Sequence, residues 1–316
     1  MPLPTETVPL VHLSAGELRT TLAPGVGGSI ASFSRCWRER GEERCVDWLR
    51  PASEQGLAQT KPLAMASFPL LPFCNRIRNG RASFEGREIR FPPNHPAAAS
   101  PHPLHGIAWQ RPWTVVSATD DQAELQLEVA ASEAWPWAFS ARQQFTLDVQ
   151  RLDVRMTLTN EDTAAMPAGI GHHPYFPHTT GTRLTSPTSA MWIGDAEVMP
   201  VRLEKNETVE QLRRGVVLSE LALDNNFVGW ERQALVEWPA DERGPRRSVT
   251  MRAESPLDYF VLYCPPGFDH FCAEPVSQCT DWLNLLPLHA PADVGGARLA
   301  PGKTVEAKFT LTPRWG

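Results

Sequence analysis

The sequence predicts an all-β protein, a large antiparallel β-sandwich, and three observations carry that prediction. Apolar and polar residues alternate with period two along most of the chain, the signature of half-buried strands. Proline makes up 30 of 316 residues, about twice its usual ~5% share, and its fixed φ and missing N–H disfavour long uninterrupted helices. Helical candidates are accordingly few: residues 52–60, 203–212 and a short stretch from Thr280.

Along the chain, Ser83-Phe-Glu-Gly-Arg-Glu-Ile-Arg-Phe91 reads as a hairpin, because Glu85-Gly86 supplies a turn between two β-favouring runs. Strand faces follow at Leu125/Leu127/Val129 and Phe145/Leu147/Val149. In residues 151–159, Leu152, Val154, Met156 and Leu158 share one face and polar residues the other. Shorter versions occur at Val249/Met251 and residues 258–263, and Val305/Ala307/Phe309/Leu311 repeats the pattern near the C-terminus. Alternating rather than continuously apolar strands mean antiparallel sheets with one covered face, and so many of them require a double sheet. No Ser/Gly-rich linker and no 20–50-residue repeat interrupts the chain, so residues 1–316 are expected to form one domain.

With 42% hydrophobic and 21% charged residues, the composition is that of a globular chain. A net charge of −6 gives no basic field, which argues against nucleic acid and for a small-molecule partner. Residues 1–7 lack a basic n-region and an apolar h-region, and no proline-free apolar run approaches the ~20 residues that span a bilayer. No membrane association is expected, and the chain reads as soluble and cytoplasmic. The six cysteines, Cys36, Cys45, Cys74, Cys264, Cys272 and Cys279, form no Cys-x-x-Cys pair, so reduced, buried thiols are expected. Nothing in the sequence settles the oligomeric state.

Four segments depart from plain alternation. In residues 67–80 two prolines hold an extended stretch in which Asn75-Arg76 sits in apolar surroundings, and a guanidinium there suits a polyhydroxylated or anionic ligand. Arg78 and Arg81 lie nearby and read either as an anion site or as solvated charges. In His102-Pro-Leu-His105-Gly-Ile-Ala-Trp109, with Trp113 behind it, indole faces and imidazoles suit a sugar's C–H surface and hydroxyls. His-x-x-His also admits a metal, but no further cysteine, histidine or carboxylate stands at ligand spacing, so no metal is expected. In Gly169-Ile-Gly-His-His-Pro-Tyr-Phe-Pro177, extended backbone turns neighbouring side chains to opposite faces, so His173 and Tyr175 share a face and His172 points away. In residues 271–281 Glu274 stands alone in an apolar run, where a carboxylate is costly unless partnered or used.

Asn75-Arg76-Ile77, Leu104-His105-Gly106, His173-Pro-Tyr-Phe176, Asp224-Asn-Asn-Phe227 and Glu274-Pro275, in this order, together resemble the aldose 1-epimerase (galactose mutarotase) family. The resemblance implies that family's large β-sandwich, the galactose mutarotase-like supersandwich. It implies Glu274 as general base and His173 as general acid, with His105 near the ring oxygen and Arg76 and Asp224 on sugar hydroxyls. Asn225 and Asn226 are open to the role given to Asp224, and a one-residue slip would exchange His172 for His173. Opening a cyclic hemiacetal requires deprotonating the anomeric hydroxyl while protonating the ring oxygen, for which a carboxylate and an imidazolium on opposite sides of the sugar suffice. No cofactor is expected, since neither Gly-x-Gly-x-x-Gly nor a P-loop is present. Three alternatives stand beside this reading: specificity for a 6-phosphorylated or 6-sulfonated hexose, a glycoside hydrolase built on Glu274 and Asp224, and a non-catalytic sugar-binding protein.

Overall fold

A computed structural model describes residues 9–96, 100–242 and 244–315 of the chain. The architecture is mostly β. A nine-stranded antiparallel sheet runs in the order Val216–Val217, Arg183–Thr185, Gln233–Trp238, Arg247–Ala253, Thr304–Trp315, Leu152–Asn160, Phe139–Leu147, Gln122–Val129 and Thr114–Ala118. An eight-stranded sheet runs Pro200–Glu204, Ala190–Gly194, Leu223–Val228, Tyr259–Cys264, His270–Val276, Gly171–His172 and Pro69–Leu70, with Tyr175–Pro177 also pairing onto His270–Val276. An N-terminal four-stranded meander covers Val11–Ala15, Leu18–Ala23, Ser29–Glu39 and Glu42–Asp47.

The alternation predicted for residues 151–159 is realised: Leu152, Val154, Met156 and Leu158 are all fully buried, and they pair with Leu311, Phe309, Ala307 and Val305 of the neighbouring strand. The two large sheets meet through such faces. His172 of the eight-stranded sheet lies 5.2 Å, ring to ring, from Phe309 of the nine-stranded one and bonds Gln143 in it. One pattern member fails: Val149 is 69% exposed, because the strand ends at Leu147 and the Asp148 carboxylate caps a turn by accepting from Gln150 and Arg151 N–H.

Each helical candidate forms with shifted ends, the second running two residues past its expected end at Leu212 to Arg214. Glu54–Ala58 starts after Ser53, whose hydroxyl accepts from Gly56 N–H, and Glu207–Arg214 starts after Asn206, whose amide oxygen accepts from Val209 N–H. The second begins later than the pattern suggests because Pro200–Glu204 is an edge strand. Trp282–Leu285 is the third; a fourth short helix, Pro291–Val294, was not foreseen. The hairpin forms as Arg81–Phe84 and Arg87–Arg90 around Glu85-Gly86. Among the described residues, no helix is long and apolar enough to cross a membrane.

The expectation of six reduced thiols is corrected. Cys36 and Cys45 are joined by a disulfide, while Cys74, Cys264, Cys272 and Cys279 are free and buried. The cause is hairpin register: a two-residue turn at Arg40-Gly41 pairs Glu39 with Glu42 and therefore sets Cys36 directly across from Cys45, Cα–Cα 4.2 Å.

Candidate active site

The site is built from cross-strand register. Gly171 pairs with Val276 and Tyr175 with Cys272, so His173 between them comes to lie opposite Glu274. On the other flank of that strand Tyr263 pairs with Cys272 and Val261 with Glu274, and Asp224 pairs in turn with Tyr263. Side chains opposite one another share a sheet face. Asp224, Tyr263, Glu274, His173 and Tyr175 accordingly line one cleft of ≈ 300 Å³, at the small end of ligand sites.

His172 and His173 divide as alternation predicts. The Ser67 hydroxyl donates to His172 Nδ1, and Nε2 donates to Gln143 Oε1 at 3.3 Å, between the sheets. His173 is turned the other way, stacked on Phe68 with ring centroids 4.7 Å apart, and its Nε2 is 3.3 Å from Glu274 Oε1. His173 is 6% exposed and Glu274 2%. His173 Nδ1 and Glu274 Oε2 have no hydrogen-bond partner among the described residues, an unusual state for buried polar atoms. The expected placement of carboxylate and imidazole on opposite sides of a ligand is thus corrected: register makes them neighbours on one wall.

Burial sets their protonation. It pushes the Glu274 carboxyl well above its ordinary value, the nearby Asp224 carboxylate adds to this, and the Arg76 guanidinium opposes it. It pulls the His173 imidazole down, helped by the charge of Arg50. Both shifts favour the neutral forms, so the resting pair holds a single proton within reach of either partner.

The second wall comes from residues 75–76 and 104–106. Asn75 and His105 adopt left-handed backbone, φ 56° and 59°, and lock together: His105 N–H donates to Asn75 O at 2.8 Å and Asn75 N–H donates to His105 Nδ1 at 3.1 Å. That second bond fixes the tautomer. Burial first, then repulsion by His173 when that ring is protonated and by the Arg76 charge, hold His105 well below its ordinary pKa, so the ring is neutral and its one proton is on Nε2. Gly106 follows at φ 69°, where a Cβ would stand 2.1 Å from Leu71 O, so only glycine allows this approach. Arg76 donates to Asp224 Oδ2 at 3.1 Å.

All seven residues singled out as catalytic or substrate-binding, Glu274, His173, Arg76, His105, Asp224, Tyr175 and Asn75, line this cleft. Of the open alternatives, Asn225 is bonded to Trp192 O and Asn226 to Thr280, leaving Asp224 as the member that lines it. Other expectations fail on position. His102 accepts from Asn79 N–H and stands beside Glu197, while Trp109 and Trp113 are core residues whose indole N–H groups donate to backbone carbonyls. The tyrosine rings Tyr175 and Tyr263, not indoles, line the cleft beside its imidazoles. Arg78 is engaged by Asp195 at 3.0 Å and Asp281 at 3.5 Å and is not among the cleft's lining residues, nor is Arg81, which is exposed. The arginine that sequence reasoning missed is Arg50. It donates to Leu63 O and Met65 O at 2.9 and 2.8 Å and lies 4.1 Å above the Tyr175 ring. Among the described residues no carboxylate lies within ion-pair distance of it, although its charge helps to hold the Asp269 carboxyl down, and nothing around Arg50-Pro51 in the sequence marks it. The cluster of His173, Cys272 and Glu274, with one ligand atom from each within 4.8 Å of the others, is likewise invisible to linear spacing.

The family model for aldose 1-epimerases matches residues 9–312. The Escherichia coli K12 protein YphB, itself uncharacterized, is 30% identical over 318 residues, covering 96% of this chain and 98% of its own. A crystal structure from the same organism, provisionally assigned as an aldose 1-epimerase, superposes with a TM-score of 0.83 at 27% identity, covering 98% and 99% of the two chains. A galactose mutarotase-like protein from Clostridium acetobutylicum superposes with a TM-score of 0.79 at 18% identity over 96% and 95%, a likeness of fold.

Proposed function

Because the chain belongs to the aldose 1-epimerase family, we propose that it is an isomerase, a mutarotase acting as one domain that interconverts the α and β anomers of a hexose. The observation that carries this reading is the buried pair, His173 Nε2 at 3.3 Å from Glu274 Oε1, at a cleft of sugar size. The anomeric hydroxyl and the ring oxygen are bonded to the same carbon, so adjacent groups on one wall can serve both. With the shared proton on His173, Glu274 takes the hydroxyl proton as the imidazolium protonates the ring oxygen, and the C1–O5 bond opens. Rotation about C1–C2 and the reverse transfers close the ring on the other face. His105 offers Nε2–H to the oxygen beside it, Arg76 and Asp224 hold hydroxyls, Asn75 sets the His105 tautomer, and Tyr175 packs against the sugar. The steps need no cofactor.

Arg50 supports one narrower reading, specificity for a 6-phosphorylated or 6-sulfonated hexose, since among the described residues its guanidinium is held by carbonyls, an imidazole and a ring face and by no carboxylate hydrogen bond. Polarimetry on freshly dissolved α-glucose or α-galactose tests the activity. Faster equilibration supports the reading, a new reducing end from a glycoside would make the protein a hydrolase, and binding without either would make it a non-catalytic sugar-binding protein.

A further inference from the structure

Cys272 has no part in the proton transfers above, yet register places it on the cleft face, two residues from Glu274 on one strand and directly opposite Tyr175. Its thiol makes no hydrogen bond among the described residues and has no exposure. One ligand atom each from Cys272, His173 and Glu274 lie within 4.8 Å of one another. In a tetrahedral shell, zinc–ligand bonds of about 2.0–2.3 Å put ligand atoms about 3.3–3.8 Å apart. The three groups must therefore draw together by up to about 1 Å, which side-chain rotations on the fixed strands can supply. Glu274 Oε2 and His173 Nδ1 are buried without a hydrogen-bond partner among the described residues, so both groups hold unsatisfied bonding capacity.

We propose that His173, Cys272 and Glu274 form an inhibitory binding site for a borderline-soft divalent cation such as Zn²⁺. The donor set, one imidazole nitrogen, one thiolate and one carboxylate oxygen, suits Zn²⁺ or Co²⁺ and not Mg²⁺ or Ca²⁺, which prefer all-oxygen shells. On binding, two protons pass to solvent, the thiol proton as the S–metal bond forms and the one shared by Glu274 and His173 as both become ligands, which leaves a fourth position for water. The ion takes as ligands both groups that the proposed reaction uses, so it excludes the sugar and stops turnover. The reaction itself uses no metal.

The test is anaerobic titration of the full chain, freed of metals, with Co²⁺ alone, reading the thiolate-to-cobalt charge-transfer band. The wild type should show the band saturating at one equivalent and lose it on adding Zn²⁺. Cys272→Ala and Cys272→Ser should each abolish it while Cys74, Cys264 and Cys279 remain. In polarimetry, Zn²⁺ should slow the wild type, and half-inhibition of either variant should need at least ~10-fold more zinc, since losing even an outer-shell partner costs ~10–100-fold in metal affinity. A missing band, a band that survives in both variants, or equal zinc inhibition of wild type and variants would overturn the proposal. The inhibition reading rests on the mutarotase assignment; the cobalt spectrum does not, so a chain that binds cobalt through Cys272 but moves no anomer would separate the two.

Discussion

Replacing Glu274 by glutamine should make the protein more stable as it removes activity, and the gain should grow with pH. The folded pKa of Glu274 is raised well above its ordinary 4.5, first by burial and then by Asp224. The native state therefore keeps a proton that the unfolded chain releases once pH exceeds that ordinary value. The stability this supplies is complete below the unfolded pKa and is lost as pH rises through the folded one. Within that window the wild type loses about 1.4 kcal/mol per pH unit relative to a side chain that does not titrate. Glutamine keeps the shape and cannot titrate, so the difference between variant and wild type should rise with that slope, on top of a constant offset from the new amide, and level off at the folded pKa. Urea unfolding of both proteins from pH 5 to 8, with equal m-values, reads it directly. Parallel stability curves, or a wild type that gains on the variant as pH rises, would refute the claim that burial governs this carboxyl.

Gly106→Ala should cost about 1–3 kcal/mol for the forced shift against Leu71 O, plus about 1–2 kcal/mol for left-handed backbone; thermal melting checks the loss, and KM should rise because His105 moves with its neighbour. Arg50→Ala should lower turnover of a 6-phosphorylated or 6-sulfonated hexose more than that of glucose, whereas Arg78→Ala, whose partners are Asp195 and Asp281, should treat both sugars alike. Comparing kcat/KM of the two variants on charged and neutral sugars distinguishes these outcomes.

Much of this was legible in the sequence because strand alternation is local. The period-two faces at residues 125–129, 152–158 and 305–311 needed no knowledge of partners, and the same rule assigned His173 to one face and His172 to the other. What escaped is set by pairing between distant segments. Arg50 reaches the cleft because its N–H donates to Tyr175 O, a contact across more than a hundred residues that no spacing announces. Cys272 joins His173 through strand register alone, and the side-by-side acid and base follow from the same pairing. The disulfide differs: a turn at Arg40-Gly41 places Cys36 and Cys45 symmetrically about it, so reading that hairpin would have found the bond. Trp109 and Trp113 misled because an indole near a histidine suits a sugar and a core equally well.

The central claim is that the Glu274–His173 pair carries the proton transfers, and polarimetric rates of Glu274→Gln, His173→Asn and His172→Asn test it most directly. Glu274→Gln and His173→Asn should each lose ~10²-fold or more, the usual share of general acid–base catalysis. His172→Asn, which breaks the bonds to Ser67 and Gln143 between the sheets, should melt lower but keep a near-normal rate per folded molecule. An active Glu274→Gln protein, or a near-normal His173→Asn beside an inactive but folded His172→Asn, would contradict the account.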